Sequence, residues 1–231
     1  MNGQTAGSGM GGWTAVRAVI FDMDGVISDT QMLHAEVEAR LLEDWGVRMT
    51  AEEITARFAG VADHDFFPAA LGRPLAAEEL GEIVARKWRD MADAAPGRIV
   101  AMEGAVDLIR LLRARGLPLA VASSSPMSFI HQVLDELGIA DAFAVRATGE
   151  EVPAGKPAPD VFLLAARRLD VEPAACLVIE DAPAGVAAAR AAGMRCIGLA
   201  PDGGSRLAAA DAVIRSLREV VNDPDRFLGD A

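Results

Sequence analysis

The apolar positions of this chain change rhythm along its length. From about residue 102, short apolar runs alternate with segments in which apolar residues return every three or four positions, the two signatures of a buried strand and an amphipathic helix. The pattern predicts helices over 104–115, 127–137, 159–169 and 183–192. It predicts strands over 117–122, 142–147, 176–179 and 195–199, with a weaker one over 212–214. An earlier apolar run, from Ala15 to Phe21, predicts a strand that ends in Asp22, Asp24 and the turn-permitting Gly25. Between that strand and residue 95 the period is helical throughout. Leu33, Val37, Leu41, Leu42 and Trp45 share one face of a helix that Asp29 or Thr30 would cap and Gly46 would end. Shorter helical patterns follow over 50–58, 63–71 and 76–93, punctuated by Gly60, Gly72 and Pro74.

Strands that alternate with helices of this length imply right-handed crossovers and a parallel sheet covered on both sides. The expected fold is therefore α/β: a Rossmann-like parallel sheet core with helices on both faces and an inserted all-helical cap domain. The expected boundaries are a disordered leader over 1–13, a catalytic core formed by 14–29 and 96–231, and a helical cap over 30–95. The leader is glycine-rich and polar, with nothing to bury.

Composition narrows the partners. At 231 residues and 52% hydrophobic the chain can bury a large core, and its net charge of −12 provides no basic face for nucleic acid or an anionic membrane. No apolar run approaches the roughly 20 residues of a membrane span, and no basic region followed by an apolar one opens the sequence, so a cytoplasmic protein is the expectation, with a monomer as the default. Cys176 and Cys196 both lie in strand-like runs, which makes them buried free thiols.

The chemistry collects at one sheet edge. In a parallel sheet every strand delivers its carboxyl end to the same side, where ligands of open α/β sheets bind. The first strand ends in Asp22 and Asp24, the next in Ser123, Ser124 and Ser125, and the strand over 176–179 in Glu180 and Asp181. Lys156 stands in the stretch PAGKPAP just before a helix. Taken singly, a strand-end acid is usually a turn and a serine run usually caps a helix. Together, the carboxylates of Asp22, Asp181 and Glu180, joined by a backbone carbonyl and waters, form an oxygen-only set suited to Mg²⁺. Ser123, Ser124 and Lys156 would hold a dianionic phosphate beside it. Asp22 would attack to form an aspartyl-phosphate, and Asp24 would protonate the leaving oxygen and then activate water. Two aspartates are needed because the phosphorylated one cannot also carry the proton.

The segments FDMDGV at 21–26, AVASSS ending at Ser125, GKPAPD at 155–160 and IEDAPAGVAAARAAG at 179–193 occur in the order and context of a known family. The chain resembles the haloacid dehalogenase superfamily of aspartate-nucleophile phosphohydrolases, in the subgroup with a helical cap after the first strand. The resemblance implies Asp22 as nucleophile and metal ligand, Asp24 as acid and base with its backbone carbonyl on the metal, Ser123 and Lys156 as phosphate anchors, and Glu180 with Asp181 as the remaining acidic metal segment. It implies a small phosphorylated metabolite, such as a sugar phosphate, as substrate and Mg²⁺ as cofactor. The relatives it brings to mind are sugar-phosphate phosphatases and β-phosphoglucomutases. Lys87 is similar to a lysine of the mutase cap. Where those mutases carry an arginine after a Gly-Val pair, this chain reads Gly60, Val61, Ala62, Asp63, His64, which favours hydrolysis over the mutase reaction. A phosphomutase is the alternative, and a binding protein on the same fold a further one.

His34, Asp63, His64 and Lys87 are the candidate substrate contacts from the cap. Three of them have a plainer reading: His34 as a satisfied helix residue, Asp63 as a helix cap, and Lys87 as part of a solvated basic face with Arg86 and Arg89. His131 is expected to face solvent, and Trp45 and Trp88 to pack in the core or between domains.

Overall fold

A computed structural model describes residues 15–58 and 61–229. The leader expected over 1–13 and the Gly60 break lie outside the described residues. Six strands form one wholly parallel sheet in the order β3-β2-β1-β4-β5-β6. They are β1 (Ala18–Phe21), β2 (Leu119–Ser123), β3 (Val145–Thr148), β4 (Cys176–Glu180), β5 (Arg195–Leu199) and β6 (Ala212–Ile214). β1 is central, with Phe21 beside Val121 of β2 and Ile179 of β4. The strand order reverses between β1 and β4, so a crevice opens there at the carboxyl edge.

The strands read as unbroken apolar runs because both faces are covered. Ala18 and Ile20 of β1 belong to one apolar cluster with Val161, Phe162 and Ala165 of α7 (Asp160–Leu169) and Val186 of α8 (Pro183–Ala191). Val19 and Phe21 belong to the other, with Leu108 and Ile109 of α5 (Ala105–Ala114) and Phe129 and Ile130 of α6 (Met127–Glu136). Alternate side chains of one strand thus build two cores. Cys176 and Cys196 are buried free thiols, and burial pushes the Cys176 thiol up to about 11.

Four helices lie between β1 and α5: α1 (Gln31–Asp44), α2 (Ala51–Phe58), α3 (Asp63–Leu71) and α4 (Ala77–Ala94). Helix α1 packs against α2 and α4, α3 packs against α4, and α4 rests on α6 of the sheet unit. Leu33, Val37, Leu41 and Leu42 are buried as the helical period requires, but Trp45 is 43% exposed, with the Arg73 guanidinium 5.6 Å from its ring. It follows the last turn of α1 and so points away from the face that its helical spacing suggested. Trp88 is packed against the core cluster, and His131 is exposed.

Two short C-terminal helices had no sequence signal: α9 (Arg218–Asn222) and α10 (Pro224–Leu228). They are too brief for a period and are held by burial of Val220, Phe227 and Leu228 and by the Leu228 carbonyl, which accepts from Val16 N at 2.9 Å. β3 starts three residues later than the apolar run, because Ala140–Ala142 form a 3₁₀ turn that seats Phe143 in the core.

Candidate active site

Asp22 follows β1 directly, and its amide donates to the Ile179 carbonyl of β4 at 3.0 Å, which fixes it at the crevice. Gly25 then takes φ +84°, and a Cβ there would lie 2.3 Å from Asp181 Oδ2. Only glycine meets both demands, the left-handed turn and the close approach of the β4 end.

Asp24 is turned away from Asp22 into its own set of donors. Thr30 Oγ1 lies 2.5 Å from Asp24 Oδ1, Ser125 Oγ 2.6 Å from Oδ2, and His34 Nε2 3.3 Å from Oδ1. Burial opposes ionisation of this carboxyl, yet His34, Ser125 and Thr30 together outweigh it and hold the group at about 2. The His34 ring packs edge-on against Trp88 and Phe129 at 5.4 and 5.9 Å. Thr30 occupies the N-cap position of α1 but makes no capping bond, because its hydroxyl is spent on Asp24.

The serine run divides by role. Ser123 is buried and its Oγ accepts the Ser125 amide at 3.0 Å; Ser124 is exposed at the cavity; Ser125 holds Asp24. Pro126 stands at the N-cap of α6 with no side-chain cap bond, so none of the three serines is a helix cap.

Lys156 brings its three donors to Asp22 Oδ1 at 2.5 Å, Glu180 Oε1 at 2.8 Å and the Ala122 carbonyl at 3.2 Å. Burial works against the ammonium, but Asp22 and Glu180 raise its pKa above the ordinary lysine value. The other Glu180 oxygen accepts the Ala182 amide at 2.7 Å. Gly185, in the first turns of α8, makes room for that carboxylate: a Cβ there would lie 1.6 Å from Glu180 Oε1.

All four expected metal ligands line the cavity; Asp24 and Glu180 engage both carboxylate oxygens with protein partners, whereas Asp22 engages Oδ1 with Lys156 and Asp181 engages Oδ2 with Gln31. Among the described residues no three His, Cys, Asp or Glu side chains stand close enough to hold a metal by themselves. Asp181 accepts from Gln31 Nε2 of α1. Burial and then Glu180 push the Asp181 carboxyl up to about 7, against the pull of Lys156 and Arg206. Asp22 is raised by burial, which Lys156 counteracts and Glu180, Asp181 and Asp24 reinforce. The acids at this edge outnumber the single ammonium, an excess that a bound divalent cation would relieve.

A cavity of about 590 Å³ extends from this edge under the inserted helices. His64 sits at its margin, exposed, with Nε2 3.3 Å from Asp65. Asp63 is not a cap: Ala62 holds the N-cap position of α3, and the Asp63 carboxylate accepts from Lys87 Nζ and, at 3.1 Å, from Trp88 Nε1. Lys87 also lies 2.6 Å from Glu38. The basic run therefore splits, with Arg86 and Arg89 exposed and Lys87 only 3% exposed. The sequence reading missed the roles of Thr30, Gln31, Glu38, Ser125 and Gly185. Gly185 alone carried a signal, as a glycine inside a helical pattern.

Fold and site define an α/β protein whose clustered acids lie at the switch point of a parallel sheet, beneath a helical insertion. The sequence model of the haloacid dehalogenase-like hydrolases matches residues 16–193, and the chain belongs to that family. The validoxylamine A 7′-phosphate phosphatase of Streptomyces hygroscopicus is 32% identical over 209 residues, covering 88% of this chain and 95% of that protein. The phosphorylated carbohydrates phosphatase of Thermotoga maritima is 31% identical over 182 residues, covering 79% and 84%. The crystal structure of CbbY from Rhodobacter sphaeroides in complex with phosphate is similar at a TM-score of 0.76 and 28% identity, covering 89% of this chain and 96% of that one.

Proposed function

We propose that the protein is a phosphatase that hydrolyses a small phosphorylated metabolite, of the sugar-phosphate type, through an aspartyl-phosphate on Asp22. The observation that carries the reading is the convergence of Asp22, Asp24, Ser123, Lys156 and Asp181 from separate strands and loops on one cavity. The phosphatases among the relatives support it.

Asp22 supplies the attacking oxygen, and the phosphorus–oxygen bond to the leaving group breaks as the bond to Asp22 forms. Asp24, anchored by Thr30 and Ser125 at 2.5 and 2.6 Å and ionised in the free site, takes up a proton as substrate binds, passes it to the departing oxygen and then, ionised again, draws one from the water that releases phosphate. Lys156 and the serines at the end of β2 hold the phosphoryl oxygens. Asp22, Asp181 and the Asp24 backbone carbonyl are the groups that would hold Mg²⁺, which would neutralise the phosphoryl oxygens. Glu180 serves this reading better as the anchor of Lys156 than as a ligand, since both its oxygens are engaged. Residues 30–95 act as the cap that closes over the substrate, with 14–29 and 96–231 as the core.

A phosphomutase would need a free cation in the cap for a second phosphate, and Lys87 is already shared between Glu38 and Asp63. The test is release of p-nitrophenol from p-nitrophenyl phosphate with added Mg²⁺. The reading requires activity that chelation removes and fresh Mg²⁺ restores, and it fails if no divalent cation supports release.

A further inference from the structure

The cap half of the cavity has a charge pattern that the phosphate half does not explain. The Lys87 ammonium, buried among α1, α3 and α4, is shared between Glu38 and Asp63, and the second Asp63 oxygen accepts from Trp88. Two carboxylates around one ammonium leave this buried cluster negative. Among the described residues no arginine lines the cavity, and the second lysine there, Lys156, is engaged with Asp22 and Glu180. The surrounding wall is apolar, formed by Ile54, Phe58, Val61, Leu80 and Val84. Thr55 lies in the same wall, and its buried hydroxyl has no hydrogen-bond partner.

An anionic group on the far side of the substrate would enter this space without a cation to meet it, beside a cluster of its own sign. Burying an unpaired charge is strongly unfavourable, and a like charge nearby adds to the penalty. A hydroxyl or an amine would fare differently, because the carboxylate oxygens and the Thr55 hydroxyl can take its hydrogen bonds while the apolar wall covers its carbon skeleton. We infer that Asp63 and Glu38 set the specificity of this site: it takes phosphate monoesters whose leaving group is uncharged or cationic and partly apolar, and it rejects bisphosphates and carboxylate-bearing phosphate esters. The inference rests on the phosphatase reading above and names its substrate class.

The test compares kcat/KM for glucose 6-phosphate, glucosamine 6-phosphate, glucose 1,6-bisphosphate and phosphoglycolate, with p-nitrophenyl phosphate as reference. The wild-type enzyme should prefer each of the first two over each of the last two by about tenfold or more. Asp63→Asn frees Lys87 of one carboxylate and should move the ratio toward the bisphosphate by about tenfold. Glu38→Gln should shift it the same way and provides the reading if the first variant fails to fold. Equal use of the bisphosphate by the wild type, or ratios unmoved in the folded variants, would overturn the inference. If p-nitrophenyl phosphate and every other ester are left intact, the phosphatase reading fails instead. Calorimetric titration with glucose 6-phosphate and with the bisphosphate then still decides the preference, since binding requires no turnover.

Discussion

The Ser125 hydroxyl donates to Asp24 Oδ2 at 2.6 Å across 101 residues of chain, tying the end of β2 to the residue that follows β1 by three positions. Ser125→Ala removes one of the bonds that keep the Asp24 carboxylate ionised. A hydrogen bond to a charged group contributes about 1.5–3 kcal/mol, so kcat should fall by roughly tenfold to a hundredfold. The Asp24 pKa should rise from about 2, since one of the groups lowering it is gone. Steady-state kinetics across pH would read both: a lower kcat at nearly constant KM, and an acid limb displaced upward.

Glycine to alanine changes at two helical sites should act in opposite directions. At Gly81 of α4 an added Cβ meets nothing within 4 Å, so Gly81→Ala should stabilise by up to about 1 kcal/mol through helix propensity. At Gly185 of α8 the same change places a methyl 1.6 Å from Glu180 Oε1, which must then leave Lys156 or the Ala182 amide. Gly185→Ala should lower both the melting temperature and the activity. Thermal melts of the two variants side by side check the pair.

Lys87 links stability to alkaline pH. Burial disfavours its ammonium, but Asp63 and Glu38 prevail and raise its pKa above 10.5. A raised pKa contributes stability that is fully present below the unfolded value and is lost as pH climbs through the folded one. Lys87→Met leaves two buried carboxylates uncompensated and should cost about 3 kcal/mol at neutral pH. Melts of wild type and variant at about pH 8 and at about pH 12 should show the gap between them narrowing at the higher value, as the wild-type ammonium loses its proton.

The sheet was legible because buried parallel strands are unbroken apolar runs, which implied helices on both faces; the division of Ala18 and Ile20 from Val19 and Phe21 between two cores is what the fold adds. Asp22, Lys156 and Asp181 were legible because strand ends and the loop before α7 must share an edge. The partners that tune them were not. Ser125 reads as one more helix-capping serine, and Thr30 as the cap of α1, until the fold shows both hydroxyls on Asp24. Lys87 looks like the middle of an exposed basic run, since nothing local announces that Glu38 and Asp63 arrive from two other helices. Side-chain pairing across elements is a tertiary property, and a single sequence carries only the residue types that permit it.

The central claim is that Asp22 is the nucleophile, and Asp22→Asn tests it most directly. The amide keeps the shape of the side chain and removes the attacking carboxylate, so with Mg²⁺ and p-nitrophenyl phosphate the folded variant should lose roughly a thousandfold or more of kcat. Retention of the wild-type rate by a variant that still melts cooperatively would contradict the account.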